Sequence, residues 1–267
     1  VWVDLGATVM GLGGVNAMLG GQVTRLAAQS PVPITTGNTF TTYAAFETVS
    51  ALMTLPKFDR QLAMIGPPSP VSNALIELFL RRGHHLTILA DPVPRPLRSR
   101  IEHLNRNRLG TAVFTQNVTA VTGPSKLLVA ASSTGGRLKL SECPGGTLVV
   151  DVAEPADVVH DSPRRQDILI LDGELIRPPN PLNGGLWRSI YGLVTGQGRS
   201  IFACFAEPIL MARESAPSSL VGRIVSLDAL DRLAHRAHMD GFFVDGFHSR
   251  GQPVSRERVD RFLMENG

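Results

Sequence analysis

The sequence is poor in cysteine, in runs of one charge and in long apolar stretches. Only Cys143 and Cys204 occur among its 267 residues. This count fits a reducing cytosol, since a single disulfide would be an unusual framework for a chain of this size. The formal net charge is only +3 and no Lys/Arg-rich run occurs. The chain is therefore not expected to bind nucleic acid, although this mild charge would favour an acidic partner. No apolar run reaches the ~18 residues of a membrane span, so we expect a soluble, cytoplasmic protein without an integral membrane segment.

Two further signals are missing from the sequence. The chain begins at Val1 and shows no charged segment ahead of a small-residue cleavage site. We interpret it as a fragment or processed form whose upstream segment is missing. Its seven histidines show no metal-ligand spacing, and the residues themselves predict no metal site.

Short apolar runs alternate along the chain with segments of helix length. They are rich in Val, Ile and Leu and lack polar alternation: Leu62–Gly66, Leu86–Ala90, Thr147–Ala153 and Asp167–Gly173. Such runs are typical of parallel strands that are buried on both faces. The predicted fold is therefore α/β, with a Rossmann-like, doubly wound parallel sheet. We expect three parts: an N-terminal remnant of a substrate domain (1–38), a Rossmann-like NAD(P)-binding domain (39–185) and a mostly helical C-terminal segment (186–267).

The first strand of the predicted sheet leads into a turn that resembles part of a dinucleotide-binding motif. In that motif one glycine makes the turn, a second admits the pyrophosphate and a third lets helix and strand pack. Gly66 occupies the first position, but Ser69 and Ser72 stand at the other two, among three prolines that have no N–H to donate. The helix N-terminus that follows remains an anion site, to which both serine hydroxyls could contribute. The alternative is a Rossmann scaffold that has lost its cofactor.

Asp91 follows the next predicted strand. An acid at this position usually receives the ribose hydroxyls and repels a 2′-phosphate, which favours NADH over NADPH. The alternative interpretation is a solvent-facing loop acid before Pro92.

The phrase Ser200–Glu207, which reads SIFACFAE, places Cys204 among apolar neighbours. Ser200 is a suitable N-cap for a helix that carries Cys204, and Pro208 cannot donate a hydrogen bond to the Cys204 carbonyl. A thiol near a helix N-terminus is a candidate nucleophile, because that position favours the thiolate. The alternative is that Cys204 is a small buried hydrophobic residue.

A second unusual phrase, Ile34–Tyr43, reads ITTGNTFTTY and surrounds Gly37 with threonines. Its polar residues are predicted to cap a helix over residues 39–55. At that N-terminus, Thr36, Asn38 and Thr39 either donate hydrogen bonds to a bound group or serve only as caps.

Several phrases, in the same order along the chain, resemble the cyanobacterial-type long-chain acyl-[acyl-carrier-protein] reductases, which make fatty aldehydes from acyl thioesters. The matching segments lack that family's N-terminal part but otherwise cover nearly the whole chain: Leu12-Gly13-Gly14, Thr35–Tyr43, the Gly66 turn, Ala131-Ser132, Asp151, Leu171-Asp172-Gly173 and Phe202–Glu207. The resemblance implies that Cys204 accepts the acyl group, that Ser132 and Asp151 border the cofactor, and that NADPH or NADH supplies the hydride. Under this interpretation, Thr36, Asn38 and Thr39 hydrogen-bond the acyl carbonyl or the nicotinamide amide; the alternative is that they only cap the helix. It alone suggests Mg²⁺ as a further cofactor.

The chain departs from that family's pattern at three places. The family has a full glycine fingerprint where Ser69 and Ser72 stand, usually a basic residue where Asp91 stands, and a histidine where Phe40 stands. These differences affect the delivery of hydride and leave the acyl-transfer residues intact.

The leading hypothesis is NAD(P)H-dependent reduction of a fatty acyl thioester to a fatty aldehyde through an acyl group bound to Cys204. Acyl carrier protein or CoA would carry the thioester. Two alternatives remain open: a cofactor-less relative that transfers or hydrolyses the acyl group, and a catalytically silent pathway partner.

Overall fold

The structure is a computed structural model that describes residues 6–14, 21–55, 58, 61–90, 93, 95–107, 110–123, 127–162, 165–180, 200–222 and 224–266. Within these ranges the helices are α1 (Gly21–Gln29), α2 (Asn38–Met53), α3 (Pro70–Arg81), α4 (Arg95–Arg106), α5 (Val118–Thr122), α6 (Ala203–Met211), α7 (Leu227–Met239) and α8 (Arg256–Asn266).

The strands of the same ranges are β1 (Met10–Gly11), β2 (Ile34–Thr35), β3 (Gln61–Ile65), β4 (His85–Leu89), β5 (Thr111–Thr115), β6 (Leu127–Ala130), β7 (Leu138–Lys139), β8 (Thr147–Asp151), β9 (Val158–Val159), β10 (Ile168–Asp172), β11 (Leu175–Arg177), β12 (Ile201–Phe202), β13 (Phe243–Val244), β14 (Phe247–Ser249) and β15 (Gln252–Val254).

The chain divides into two compact units. Unit 1 contains Val1–Ala44 and Glu174–Asp245, and unit 2 contains Ala45–Gly173 and Gly246–Gly267. These boundaries differ from the predicted divisions after residues 38 and 185, because an N-terminal and a C-terminal stretch together form unit 1. The sequence pattern could not indicate this pairing, since it depends on contacts between residues that are far apart in the chain.

Unit 2 is built on an eight-stranded sheet. Its order is β15-β14-β10-β8-β6-β3-β4-β5, in which β14 pairs antiparallel with both β10 and β15, and the other six strands pair in parallel. Counted along the chain, those six strands have the order 3-2-1-4-5-6 of dinucleotide-binding folds. The predicted Rossmann-like α/β fold is confirmed.

Both faces of this sheet are covered. In β3, Leu62 and Met64 belong to one apolar cluster, and Ala63 and Ile65 belong to another. All four side chains are fully buried. Successive residues of a strand point to opposite faces, so an unbroken apolar run is what a doubly covered strand requires.

Unit 1 combines small sheets with helices. Strands β1 and β2 pair in parallel, and β11 pairs antiparallel with both β12 and β13. Its apolar core brings Phe40 together with Ile176, Ile201 and Leu210. Helix α2 begins in unit 1 and continues into unit 2.

Candidate active site

Cys204 lies in the first turn of helix α6, which begins at Ala203. Phe202 precedes the helix and provides no side-chain cap. Ser200 does not cap it either, because its buried hydroxyl donates a hydrogen bond to the Asp245 carboxylate. The predicted cap by Ser200 is therefore wrong. Pro208 lies inside α6 and leaves the Cys204 carbonyl without the usual helical donor, as its place in the sequence predicts.

Two glycine-containing loops lie against Cys204. Gly37 has a φ of +79°, and a Cβ at this residue would lie 2.5 Å from the Cα of Cys204 and 3.0 Å from its carbonyl oxygen. Only glycine fits there, because both the backbone conformation and the space exclude a side chain. A Cβ at Gly13 would lie 3.2 Å from the Cys204 Sγ. Gly13 and Gly37, which come from two separate segments of the chain, thus both lie against Cys204.

The surroundings of Cys204 keep its thiol protonated. The side chain is only partly exposed, and this burial raises the pKa of the thiol to about 12. The negative charges of Glu174 and Glu207 also raise this pKa, whereas a hydrogen bond from the Gly14 N–H lowers it. Cys204 is therefore a neutral thiol near pH 7, and a nucleophilic attack requires it to lose its proton as the new bond forms.

Glu207 lies on α6 and is fully buried. Its carboxylate accepts a hydrogen bond of 2.5 Å from the Phe40 N–H and another from the Thr35 hydroxyl. The backbone N–H groups of Thr39 and Gly37 also donate to it. Burial raises the pKa of Glu207 to about 7, although these donors oppose the rise. Glu207 thus caps the N-terminus of α2, a role for which the sequence predicted the threonine phrase itself.

Thr36, Asn38 and Thr39 line one small open pocket at the start of α2. The other residues of its wall follow one another later in the chain: Ser219, Leu220, Val221, Gly222, Ile224, Val225 and Ser226. Thr36 and Thr39 are buried and Asn38 is half-buried. The structure brings the three residues to one cavity, and their hydrogen bonding to an acyl carbonyl or a nicotinamide amide stays a prediction.

In unit 2, Gly66, Ser69 and Ser72 follow the carboxyl end of β3, the edge at which sheets of this order bind ligands. Gly66 has a φ of +146°, and a Cβ there would lie 2.6 Å from the carbonyl carbon and oxygen of Ala131. Ser69 and Ser72 form a capping box at the start of α3, in which each hydroxyl accepts the other residue's N–H. Ser69 Oγ also donates to the Ala131 carbonyl at 2.6 Å. Both hydroxyls are therefore engaged within the protein.

This edge of the sheet fits a dinucleotide, although with few pyrophosphate donors. Asn73, in the first turn of α3, has a buried side-chain oxygen without a hydrogen-bond partner among the described residues. A ribose hydroxyl or a carboxamide could satisfy that oxygen. The three prolines of the turn offer no N–H, so a bound pyrophosphate would receive fewer backbone hydrogen bonds than a glycine turn provides.

Ser132 and Asp151 lie at the carboxyl ends of β6 and β8. The N–H and hydroxyl of Ser132 both donate to the buried Asp157, at 2.8 and 2.5 Å. Asp151 accepts backbone N–H bonds from Ala153, Asp157 and Val158. Burial raises the pKa of Asp151 to about 6 and also raises the pKa of Asp157. The two predicted residues thus organise one loop at the expected edge, and their contact with a cofactor stays a prediction.

Three further expectations concern Asp91, metal sites and membrane-spanning helices. Asp91 lies outside the described residues. No group of three or more His, Cys, Asp or Glu side chains within the described ranges could hold a metal ion. In the same ranges, no helix combines the length and apolar character that crossing a membrane demands.

Sequence reasoning gave no role to two acids that shape the sites. Glu207 carries a signal that could have found it, since it is the acid of an otherwise apolar phrase and lies one helical turn after Cys204. Asp157 carries none, because it belongs to a short polar stretch that reads as an ordinary loop.

A comparison with known protein families finds no match. Among curated proteins, the aminotransferase PigE of Serratia sp. (strain ATCC 39006) is 30% identical over 262 residues. The match covers 96% of the chain but 30% of PigE, so the chain spans less than a third of that relative.

Solved structures with a similar fold are distant in sequence and in geometry. The nucleotide-binding domain of glutamyl-tRNA reductase from Thermoplasma volcanium is 9% identical, with a TM-score of 0.32, over 47% of the chain and 84% of that domain. The Δ1-pyrroline-2-carboxylate reductase of Thermococcus litoralis, solved with NADH and L-proline, is 12% identical, with a TM-score of 0.33, over 43% of the chain and 36% of that protein. The iminosuccinate reductase of Paracoccus denitrificans, solved with NAD⁺, is 14% identical, with a TM-score of 0.34, over 80% of the chain and 67% of that protein.

The expectation that the chain belongs to the cyanobacterial-type acyl-[acyl-carrier-protein] reductases is wrong. The curated protein that it matches at 30% identity is an aminotransferase. The segments that suggested the family are short, and they serve local needs here: Gly37 and Gly66 permit close approaches, while Ser132 and Asp151 organise a loop. Such needs recur in unrelated families. The suggestion of Mg²⁺ loses its only support.

Proposed function

We propose that this chain reduces a fatty acyl thioester, carried by acyl carrier protein or CoA, to an aldehyde. Cys204 would accept the acyl group, and NADH or NADPH would donate the hydride. The observation that carries the proposal is the placement of Cys204, a partly exposed thiol in the first turn of α6 with Gly13 and Gly37 against it. A partly exposed thiol in the first turn of a helix is placed as a nucleophile requires.

The acylation step uses groups of unit 1 alone. Attack by the Cys204 sulfur on the thioester carbonyl forms one S–C bond and breaks the carrier's S–C bond, and the cysteine proton leaves on the released carrier thiol. Thr36, Asn38 and Thr39 would hydrogen-bond the carbonyl oxygen as its negative charge develops. Addition of a hydride and a proton then gives the aldehyde and restores the thiol. A bound nicotinamide supplies that hydride, and the residues that would hold it follow the carboxyl ends of their strands: Gly66, Ser69, Ser72, Ser132 and Asp151.

The match with an aminotransferase supports an aldehyde as the product. An aminotransferase exchanges an amino group with a carbonyl group, and an aldehyde from this chain is a suitable substrate for such a reaction. Pyridoxal phosphate enzymes bind their cofactor through a lysine, and this chain has only Lys57, Lys126 and Lys139. Lys139, the one of these that is described, is exposed on the two-residue strand β7. We therefore infer that this chain forms the carbonyl group that such a reaction consumes.

The experiment that tests the proposal incubates the purified chain with an acyl-CoA and NADH and looks for the aldehyde. Mass spectrometry should find the acyl adduct on the Cys204 peptide, and Cys204→Ser should abolish both adduct and aldehyde. Cys143→Ser is the matched control and should change neither, because Cys143 is buried, with only 3% of the residue exposed, whereas Cys204 is partly exposed. An adduct on Cys143 alone would contradict the assignment.

We expect NADH to bind at least as well as NADPH. Asp91 comes two residues after β4, where an acid repels the 2′-phosphate of NADPH. Titration of both cofactors against the unaltered chain and Asp91→Arg measures this preference, and the substitution should shift it toward NADPH. A clear preference of the unaltered chain for NADPH would remove Asp91 from the adenosine site.

A second candidate function is acyl transfer or thioester hydrolysis without reduction. The specific observation that favours it is the turn after β3, where the serine hydroxyls are engaged in a capping box and three prolines offer no N–H. A Cys204 adduct that forms without any aldehyde, together with no NADH or NADPH binding by calorimetry, would support this function over the reductase. Absence of the adduct as well would leave the catalytically silent partner.

A further inference from the structure

Helix α2 is preceded by a glycine, which has no side chain to cap the helix N-terminus. Gly37 precedes the helix, and its carbonyl accepts the Thr41 N–H at 3.1 Å. Helix N-termini usually gain a side-chain acceptor from this position, but Gly37 must lack a side chain because it lies against Cys204. The first N–H groups of α2 therefore need an acceptor from elsewhere in the chain.

Glu207 supplies that acceptor from α6. Its carboxylate receives the N–H groups of Gly37, Thr39 and Phe40 and the hydroxyl of Thr35. Thr35 Oγ1 also accepts the Gly37 N–H at 3.0 Å, so the hydroxyl links the glycine to the carboxylate a second time. Each of these contacts fixes the backbone that borders Cys204.

A fully buried carboxylate is a costly way to cap a helix. Within the described residues, no Lys or Arg forms an ion pair with Glu207, and burial of a charge without a countercharge opposes folding. A local serine caps α3 without that cost. Glu207 follows Cys204 by one helical turn on α6, so the two side chains lie on the same helix face.

We propose that Glu207 is a positioning residue for Cys204: by holding the first turn of α2 against α6, it keeps Gly37 on the thiol and fixes the direction from which an acyl group reaches the sulfur. The proposal rests on the proposed acylation of Cys204. The titratable groups that act on the thiol are Glu207 itself, on the same helix, and Glu174, which immediately precedes β11. Both raise the pKa of Cys204.

The test measures two reactions of Cys204 in the full chain. Alkylation by iodoacetamide near pH 8, followed peptide by peptide, needs only an accessible thiol, and Cys143 in the same sample is the internal reference. Acylation by an acyl-CoA, resolved into kcat and KM, needs an oriented thiol. In Glu207→Ala, alkylation of Cys204 should rise about tenfold, since a negative charge and part of the packing are removed, whereas the kcat of acylation should fall about tenfold. Glu207→Gln, which keeps one acceptor oxygen, should restore part of the acylation rate.

Two further variants keep the test decisive. Thr35→Val removes one link to Glu207 and should produce the same opposite changes on a smaller scale, even if Glu207→Ala does not fold. Glu47→Gln changes an exposed acid of the same helix α2 and should leave both reactions unchanged. A rise or fall of both reactions together, or no change in Glu207→Ala and Thr35→Val, would overturn the positioning role. If the unaltered chain is never acylated while alkylation still responds to Glu207, the proposed function fails and the influence of Glu207 on the thiol remains.

Discussion

Helices α2 and α3 both begin beside a glycine that approaches other backbone closely, but they are capped in opposite ways. At α2, Gly37 lies against Cys204 and the cap is the carboxylate of Glu207, more than 160 residues later in the chain. At α3, Gly66 lies against Ala131 and the cap is the local pair Ser69 and Ser72. The first arrangement depends on the tertiary fold, whereas the second is contained in a few consecutive residues.

This difference separates the two candidate sites in their chemistry. The α2 cap is a titratable group with a pKa of about 7 beside a thiol, so its charge changes near neutral pH. The α3 cap consists of hydroxyls, which do not titrate in this range. Reactivity in unit 1 should therefore respond to pH through the cap itself, and the turn in unit 2 should not.

The largest expected effect comes from adding a methyl group at either close approach. Gly37→Ala places a Cβ 2.5 Å from the Cys204 Cα, and Gly66→Ala places one 2.6 Å from the Ala131 carbonyl; both residues have positive φ. Strain and overpacking together should cost about 3 kcal/mol or more of the free energy of unfolding. Urea unfolding of each variant measures the loss.

The matched control for these two substitutions is Gly246→Ala. Gly246 also has a positive φ, of 68°, but a Cβ there would meet nothing within 4 Å. It should lose only the backbone term, about 1 kcal/mol. Equal losses at all three glycines would show that the close approaches contribute nothing, and the comparison of the two helix starts would fail.

The second effect is a pH dependence that belongs to unit 1. The pKa of Glu207 rises from an ordinary value of 4.5 to about 7 in the folded chain. A raised pKa means that the folded state holds the proton more tightly, so this stabilisation is complete below pH 4.5 and is lost as pH rises through 7. The loss should be about 3 kcal/mol.

Comparison of Glu207→Gln with the unaltered chain isolates this contribution. Asp151 also has a raised pKa, of about 6, but it is present in both proteins and cancels in their difference. Urea unfolding near pH 5 and near pH 8 should show that the unaltered chain loses about 3 kcal/mol more than the variant. An equal pH dependence of the two proteins would mean that Glu207 stays charged throughout, held by its four donors.

The sequence predicted the features that depend on neighbouring residues and missed those that depend on contacts between distant parts of the chain. The sheet was predicted well, because period and composition are local: the runs at Leu62–Gly66 and Leu86–Ala90 became β3 and β4 with bounds one residue away. The Gly66 turn was also found, since strand, turn and helix are consecutive. The cap on α2 was not, because Glu207 reaches it only through the tertiary fold.

The same distinction explains why the predicted Ser200 cap is wrong and why the predicted domain boundaries differ from those of the two units. Ser200 has the right spacing for a cap, but it binds Asp245, 45 residues further along the chain. Unit 1 joins Val1–Ala44 to Glu174–Asp245, a pairing that no local pattern indicates. The sequence did place Cys204 near the start of a helix, because Pro208, four residues later, indicated an irregular helix at this position.

The smallest effect is expected when the α3 cap is changed to the residues of a full glycine turn. Ser69→Gly with Ser72→Gly removes the capping box and the 2.6 Å bond to the Ala131 carbonyl, which should cost about 1–2 kcal/mol of stability. The same change frees the backbone around the turn and should strengthen NADH binding, measured by calorimetry, because a pyrophosphate can then approach the helix N-terminus. Ser255→Gly is the matched control, since the Ser255 hydroxyl accepts the Arg258 N–H at the start of α8; it should lower stability and leave nucleotide binding unchanged. Nucleotide binding that is undetectable in both the unaltered and the double-glycine chain would mean that the turn is purely structural, and the reductase would give way to the function without a cofactor.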